Sequence, residues 1–245
     1  MYDYLIVGNG IAGQKAAETI RKKEENSSII IISKSAKHTY WRTKLSELIA
    51  KDFTDDEILV KKPEWYKKNN IEEKLECEVE KLDLENKKAI LKNGEEIEYK
   101  KALIATGSHP FVPPIKNIDA DGVFAIRNVE DLNSFKNHIK ENKKVVVIGG
   151  GLLGLEAAFS VKNTGCEVLV IETFDYILEK QLDNELSKKL EKELNDAGIK
   201  TSTGKNTAEI LEKDGKVCGI KLEDGEEIEA NTILSLIHIS EPTRP

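Results

Sequence analysis

The sequence predicts an α/β fold in two similar halves, each a parallel sheet with an antiparallel β meander attached. Three observations predict it. Tyr2–Ile32 and Lys144–Glu172 each read as an apolar strand, a glycine turn, a helix and a second apolar strand. Each unit is followed by alternating runs broken by Asn-Gly or Asp-Gly, the dipeptides of tight hairpins. Each half then returns to an apolar strand, through Ala102–Ala105 and through residues 230–233.

In chain order, Tyr2–Val7 leads straight into Gly8-Asn9-Gly10-Ile11-Ala12-Gly13, a G-x-G-x-x-G turn. The first glycine of such a turn permits the bend, the second lets backbone approach a pyrophosphate, and the third lets the helix lie close on the strand. The diphosphate rests on free N–H groups at the helix start, where the helix dipole favours negative charge. Ala12, Ala16 and Ile20 follow one helical turn apart and predict the sheet-facing side; Ile29–Ile32 is the next buried strand. That strand ends at Ser33-Lys34-Ser35, so the acid that usually reads an adenosine ribose is missing and Ser33 offers one hydrogen bond instead.

Arg42, Lys44, Leu45 and Ser46 open a short predicted helix with Leu45, Leu48 and Ile49 on its buried side. Cations at a helix start are locally unfavourable. Arg42 and Lys44 therefore either border an anionic ligand, a flavin and its phosphates, or are solvated surface charge. A further short helix is predicted after Pro63, and an antiparallel meander over Ile71–Ile104 turns at Asn93-Gly94. Pro110, Pro113 and Pro114 mark a boundary. Asn128 caps a helix whose Leu132, Phe135 and Ile139 face a core.

The second glycine unit has every part in register. Val145–Ile148 is a strand, Gly149, Gly151 and Gly154 form the turn, Leu153, Ala157 and Val161 recur at helical spacing, and Gly165 ends the helix. Val168–Ile171 then ends at Glu172, about 20 residues on, where a carboxylate accepts from both ribose hydroxyls and repels a 2′-phosphate. Thr173, Phe174 and Asp175 provide no arginine for such a phosphate, so the predicted ligand is NAD(H). Asp183 caps a helix with Leu186, Leu190 and Leu194 at four-residue spacing, and residues 206–229 form the second meander, turning at Asp214-Gly215 and Asp224-Gly225.

The chain has 245 residues, 39% hydrophobic and 33% charged, with a net charge of −7. That argues against nucleic acid as a main partner, and no apolar run is long enough to span a membrane. The chain enters a strand at once, which predicts no signal peptide, and widely spaced cysteines with no CxxC predict a reducing, cytoplasmic setting. Cys77, Cys166 and Cys218 are far apart and predict small buried hydrophobes; His38, His109, His138 and His238 have no metal-ligand spacing, so no metal is predicted.

On DYLIVGNGIAGQKAA, KALIATGSHPFVPPI, KKVVVIGGGLLGLEAA and VLVIET, the chain resembles the flavoprotein pyridine nucleotide oxidoreductases with two dinucleotide domains. The stretches TYWRTKLSELIAKDFTDDEILVKKPEWYKKNNI and LEKQLDNELSKKLEKEL are most similar to the NADH:rubredoxin reductase branch. The resemblance implies two Rossmann-like, glutathione-reductase-like domains, FAD-binding over residues 1–111 and NAD-binding over 112–233. It implies FAD at Gly8, Gly10 and Gly13, with Ile11, Ala12, Ser33, Lys34, Ala105, Thr106 and Gly107 around it and Arg42 and Lys44 beside the flavin. It implies NADH at Gly149, Gly151, Leu152, Leu153, Gly154 and Glu172. Glu156 matches a family glutamate near flavin and nicotinamide, and is predicted with Lys44 to be catalytic; alternatively it only stabilises its helix start.

The implied reaction is hydride transfer from NADH to FAD, then electron transfer to a small carrier protein such as rubredoxin or to a small-molecule acceptor. Neighbouring branches imply an NADH oxidase or a nitrite-reductase component; a non-catalytic redox sensor is the reading from another class. His38–Ser46 contains no cysteine, so thiol relay chemistry is not expected. Lys34, Lys37, Arg42 and Lys44 are expected to help dock an acidic carrier. Leu234–Pro245 reads LSLIHISEPTRP, like a translated sequencing adapter, and predicts a truncated chain with a non-native tail at 234–245.

Overall fold

The computed structural model describes residues 1–107 and 115–236, and the backbone of 109–110 and 240–241. Expectations for Ser108, Pro113, Pro114 and most of the tail beyond Leu236 lie outside the described residues. The chain divides into two compact units, one with Met1–Trp41 and Phe53–His109, the other with Arg42–Asp52 and Pro110–Ser240.

The first unit contains β1 (Tyr2–Val7), α1 (Ile11–Lys23), β2 (Ile29–Ile32), α2 (Asp55–Ile58), α3 (Pro63–Lys68), β3 (Ile71–Lys74), β4 (Val79–Asp83), β5 (Lys88–Leu91) and β6 (Glu96–Ile104), and β7 (His109–Pro110) begins on its His109. Its main sheet runs β3-β2-β1-β6-β5-β4. The four isoleucines of β2 explain their own run. Ile30 and Ile32 pack with Leu5, Val7, Ala89, Leu91 and Tyr99, while Ile29 and Ile31 pack with Ile6, Ala17, Tyr66 and Ile71. A strand covered on both faces needs apolar residues at every position.

Two expectations change in this unit. Ile71–Lys74 is not meander: β3 pairs in parallel with β2, and only β4, β5 and the start of β6 form the antiparallel ribbon. β6 then continues as the parallel neighbour of β1. The α1 face also sits one residue on from Ala12, Ala16 and Ile20, because Gly13, Gln14 and Ala17 are the buried residues and Ala12 is exposed. The cause is Gly13, where a Cβ would collide with the Gly8 carbonyl oxygen; that contact fixes how the helix rolls onto the sheet.

The second unit contains two 3₁₀ segments (Arg42–Lys44 and Glu47–Ala50), then β8 (Val123–Phe124), α4 (Val129–His138), β9 (Lys144–Ile148), α5 (Leu152–Asn163), β10 (Glu167–Ile171), α6 (Asn184–Asp196), β11 (Ile199–Ser202), β12 (Thr207–Lys213), β13 (Lys216–Leu222), β14 (Glu227–Glu229), β15 (Thr232–Ser235) and β16 (Ser240–Glu241). The parallel sheet runs β11-β10-β9-β15-β8, with β12-β13-β14 as a separate antiparallel sheet. Val146, Ile148, Ile171 and Ile233 pack against Ile210, Val217, Ile220 and Leu222, so the meander covers one face of the parallel sheet.

The predicted helix at Arg42 is instead two 3₁₀ pieces with Leu45 and Ile49 buried. A three-residue 3₁₀ turn has little dipole, so the electrostatic argument for Arg42 and Lys44 loses its force. On α5, Leu153 is exposed and the buried stripe runs Gly154, Ala157, Ala158, Val161. On α6, Leu186 is exposed and Ser187 is the buried residue, its hydroxyl donating to the Ile177 carbonyl (2.9 Å). Of the three cysteines only Cys166 is buried; Cys77 is half-buried and Cys218 lies on the outer face of β13, where alternation points it outward. Leu234 and Ser235 continue β15 in the core, and the Ser235 hydroxyl is buried with no hydrogen-bond partner among the described residues. Among the described residues no helix is long and apolar enough to cross a membrane.

Candidate functional site

Both glycine turns have the same backbone plan. Gly8 and Gly149 take φ of 111° and 114°, a left-handed region that disfavours side chains. The third glycines, Gly13 and Gly154, leave no room for a Cβ against the carbonyls of Gly8 and Gly149. The second glycines differ in kind. Gly10 and Gly151 have ordinary negative φ, and apart from their chain neighbours nothing among the described residues lies within 4 Å of where a Cβ would stand. Neither conformation nor packing within the chain demands glycine there, and the cleared space matches the close approach a diphosphate needs.

The helix starts fit the same ligand. α4 and α6 are closed by their own side chains, Asn128 accepting from Asp131 N–H (2.7 Å) and Asp183 accepting from Leu186 N–H (2.9 Å). α1 and α5 begin at Gly10 and Gly151 with no side-chain cap and no acid in the first turn. Their first N–H groups, at Ile11, Ala12 and Gly13 and at Leu152, Leu153 and Gly154, are placed for an anion. Ile11, Leu152 and Leu153 are exposed over these starts.

Glu172, at the tip of β10, reaches back over the second turn. Its Oε2 accepts from Gly150 N–H (2.6 Å) and its Oε1 from Phe174 N–H (3.0 Å). A Cβ at Gly150 would lie 2.9 Å from Glu172 Cβ, so this residue must be small for the acid to sit there. In the first unit Ser33 holds the matching place and accepts from Ser35 N–H (3.2 Å). Asn9 stands where the second unit has Gly150, and its Nδ2 donates to Glu73 Oε1 (2.8 Å). Glu73 Oε2 meets His38 Nδ1 at 3.0 Å, and the Thr39 hydroxyl lies 2.6 Å from Asn9 Oδ1. Tyr66 donates to Thr39 (3.2 Å); burial first, and the Glu73 charge beside it, push its phenol up to about 12.

Ala105 and Thr106 follow β6 against the first turn: Ala105 N–H donates to the Val7 carbonyl (2.8 Å), and a Cβ at Gly8 would strike the Ala105 carbonyl oxygen. Thr106 and Gly107 are exposed beside it. Lys34 borders an open cavity of about 360 Å³ with Glu76, Cys77, Glu78 and Asn93.

In the second unit the segment bearing Arg42 and Lys44 packs on α5, and Lys136 ties it down by donating to the carbonyls of Leu48 (3.2 Å) and Lys51 (2.5 Å). Arg42 and Lys44 are exposed. Glu156 is exposed on α5 and its Oε2 accepts from the Ser46 hydroxyl (3.4 Å). Ser46, Glu73, Asn9 and His38 are the residues sequence reasoning missed as site members. Ser46 is 110 positions from its partner, so only the fold reveals that pair.

The model of the pyridine nucleotide-disulphide oxidoreductase family matches residues 2–239. The chain belongs to this family. It is 36% identical over 236 residues to a nitrite reductase [NAD(P)H] of Bacillus subtilis, covering 96% of this chain and 29% of that protein. It is 37% identical over 220 residues to an NADH oxidase of Methanocaldococcus jannaschii, covering 86% of this chain and 49% of that one. The crystal structure of NADH:rubredoxin oxidoreductase from Clostridium acetobutylicum superposes with a TM-score of 0.80 at 32% identity, over 96% of this chain and 58% of that chain. The chain thus spans about half or less of the length of these two curated relatives.

Proposed function

We propose that the chain is the NADH- and FAD-binding part of a flavoprotein oxidoreductase that delivers electrons to a small carrier protein such as rubredoxin. The observation that carries this reading is the pair of uncapped, acid-free helix starts whose second glycines face cleared space. In it the two units are Rossmann-like dinucleotide-binding domains. FAD occupies the turn of Gly8, Gly10 and Gly13, with Ile11, Ala12, Ser33, Lys34 and Ala105–Gly107 around it. NADH occupies Gly149, Gly151 and Leu152–Gly154, with Glu172 on the adenosine ribose.

When bound, the two cofactors supply the hydride chemistry. The chain supplies orientation and charge. The N–H groups of each helix start hold a diphosphate, and Glu172, fixed by two backbone N–H groups, offers its remaining lone pairs to ribose hydroxyls and disfavours a 2′-phosphate. Glu156, steadied by Ser46, orients the nicotinamide carboxamide. No cysteine lies between His38 and Ser46, so the chain offers no thiol relay there.

Anaerobic addition of NADH to the FAD-loaded protein is expected to bleach the yellow flavin band, and rubredoxin is expected to restore it. NADH binding without any flavin absorbance would point to a redox sensor and overturn the reading. Restoration by oxygen or nitrite but not rubredoxin would reassign the acceptor.

A further inference from the structure

The buried polar cluster behind the first glycine turn is not used by any step above. Strand register makes the two turns directly comparable. Val7 pairs with Ile32 as Ile148 pairs with Ile171, so Ser33 answers to Glu172 and Asn9 to Gly150. In the second unit the strand-end acid and the small turn residue need each other, since Glu172 accepts from Gly150 N–H and stands where a Gly150 side chain would go. In the first unit both members have changed. Ser33 stands in place of the acid, Asn9 brings a side chain where Gly150 has none, and that side chain donates to a carboxylate from the next strand, Glu73.

Like Glu172, Glu73 has a partner on each carboxylate oxygen. One oxygen takes the Asn9 amide at 2.8 Å and the other meets His38 at 3.0 Å. Thr39 closes the loop, with its hydroxyl 2.6 Å from Asn9 Oδ1 and 3.0 Å from the Asn9 carbonyl oxygen. The Glu73 side chain is only 8% exposed, and Asn9 and Thr39 are 9% and 1% exposed. A carboxylate this enclosed braces the turn but does not face a ribose.

We propose that Glu73 is the positioning residue of the first glycine turn: through Asn9 it fixes the backbone on which the FAD diphosphate sits, replacing from the third strand the brace that Glu172 provides from the second. The first unit thereby keeps the bracing role of the missing acid and gives up its ribose-reading role. This rests on the reading that the first turn takes FAD.

The test is FAD titration of the apo-protein followed by flavin fluorescence, with NADH binding and thermal unfolding measured in parallel. Glu73→Gln and Asn9→Ala are each expected to weaken FAD binding by about tenfold or more while leaving NADH affinity unchanged. Asn9→Ala spares the Glu73–His38 pair and keeps the test open should Glu73→Gln fold poorly. In an Asn9→Gly/Ser33→Glu background, which copies the second unit, Glu73→Gln is expected to have no further effect on FAD. If its effect persists there, or if FAD and NADH affinities fall together with the unfolding temperature, Glu73 is merely structural and the proposal fails. If the unsubstituted protein binds NADH but no FAD, the assignment of the first turn fails instead and takes the proposal with it.

Discussion

The two glycine turns are alike where the backbone must bend and unlike where a carboxylate must be found. Gly8 and Gly149 share a φ near 111–114°, and Gly13 and Gly154 share the same carbonyl contact. The acid comes from β10 in one unit and from β3 in the other, reaching the turn through backbone N–H in the first case and through an asparagine side chain in the second. The lesson is that a missing motif residue need not mean a missing function. The bend is fixed by sterics and tolerates no substitute, whereas a hydrogen-bond acceptor can be supplied by any neighbouring strand.

The largest expected effect tests the steric half of that comparison. Gly13→Ala and Gly154→Ala each force a Cβ onto a backbone carbonyl. Each is expected to cost at least about 3 kcal/mol of stability in urea denaturation. A variant as stable as its parent would mean the helix can shift away, and the shared plan would be looser than described.

Next come the second glycines. Gly10→Ala and Gly151→Ala meet open space at an ordinary φ, so stability is expected to stay within about 0.5 kcal/mol. Binding is expected to fall by about tenfold for one ligand each, FAD for Gly10 and NADH for Gly151, read by separate titrations. Loss of both ligands from either variant would break the one-turn, one-ligand assignment.

The smallest effect is alkaline and confined to the first unit. Tyr66 is raised from 10.0 to about 12, chiefly by burial. A raised folded pKa means the folded chain holds the proton longer than the unfolded chain does. The contribution is whole below about pH 10 and is lost as pH rises through about 12. Tyr66→Phe is expected to flatten that loss in thermal melts over this range. An unchanged alkaline profile would mean that burial does not hold the Tyr66 proton.

Much of the architecture was legible in the sequence. Glycine spacing, the isoleucine run of β2 and the Asn-Gly and Asp-Gly turns each have a local cause, and local causes can be read along the chain. The misses have non-local ones. The α1 face is set by Gly13 meeting Gly8, not by where the alanines fall. Ile71–Lys74 looks like meander because its alternation is the same; only pairing with β2 makes it a parallel strand. In the site, Glu172 stands at its motif distance, but Glu73 and Ser46 earn their roles from strand adjacency and from the packing of residues 42–52 on α5, which no spacing rule encodes.

β6 has a wider consequence. One uninterrupted strand, Glu96–Ile104, closes the hairpin with β5 at its beginning and borders β1 at its end. The ribbon before it is therefore no detachable ornament. Excising residues 79–95 would unmoor the strand on which Ala105 is delivered to Gly8, so natural variation in this half should accumulate at the Asn93-Gly94 hairpin tip and spare the ribbon's length.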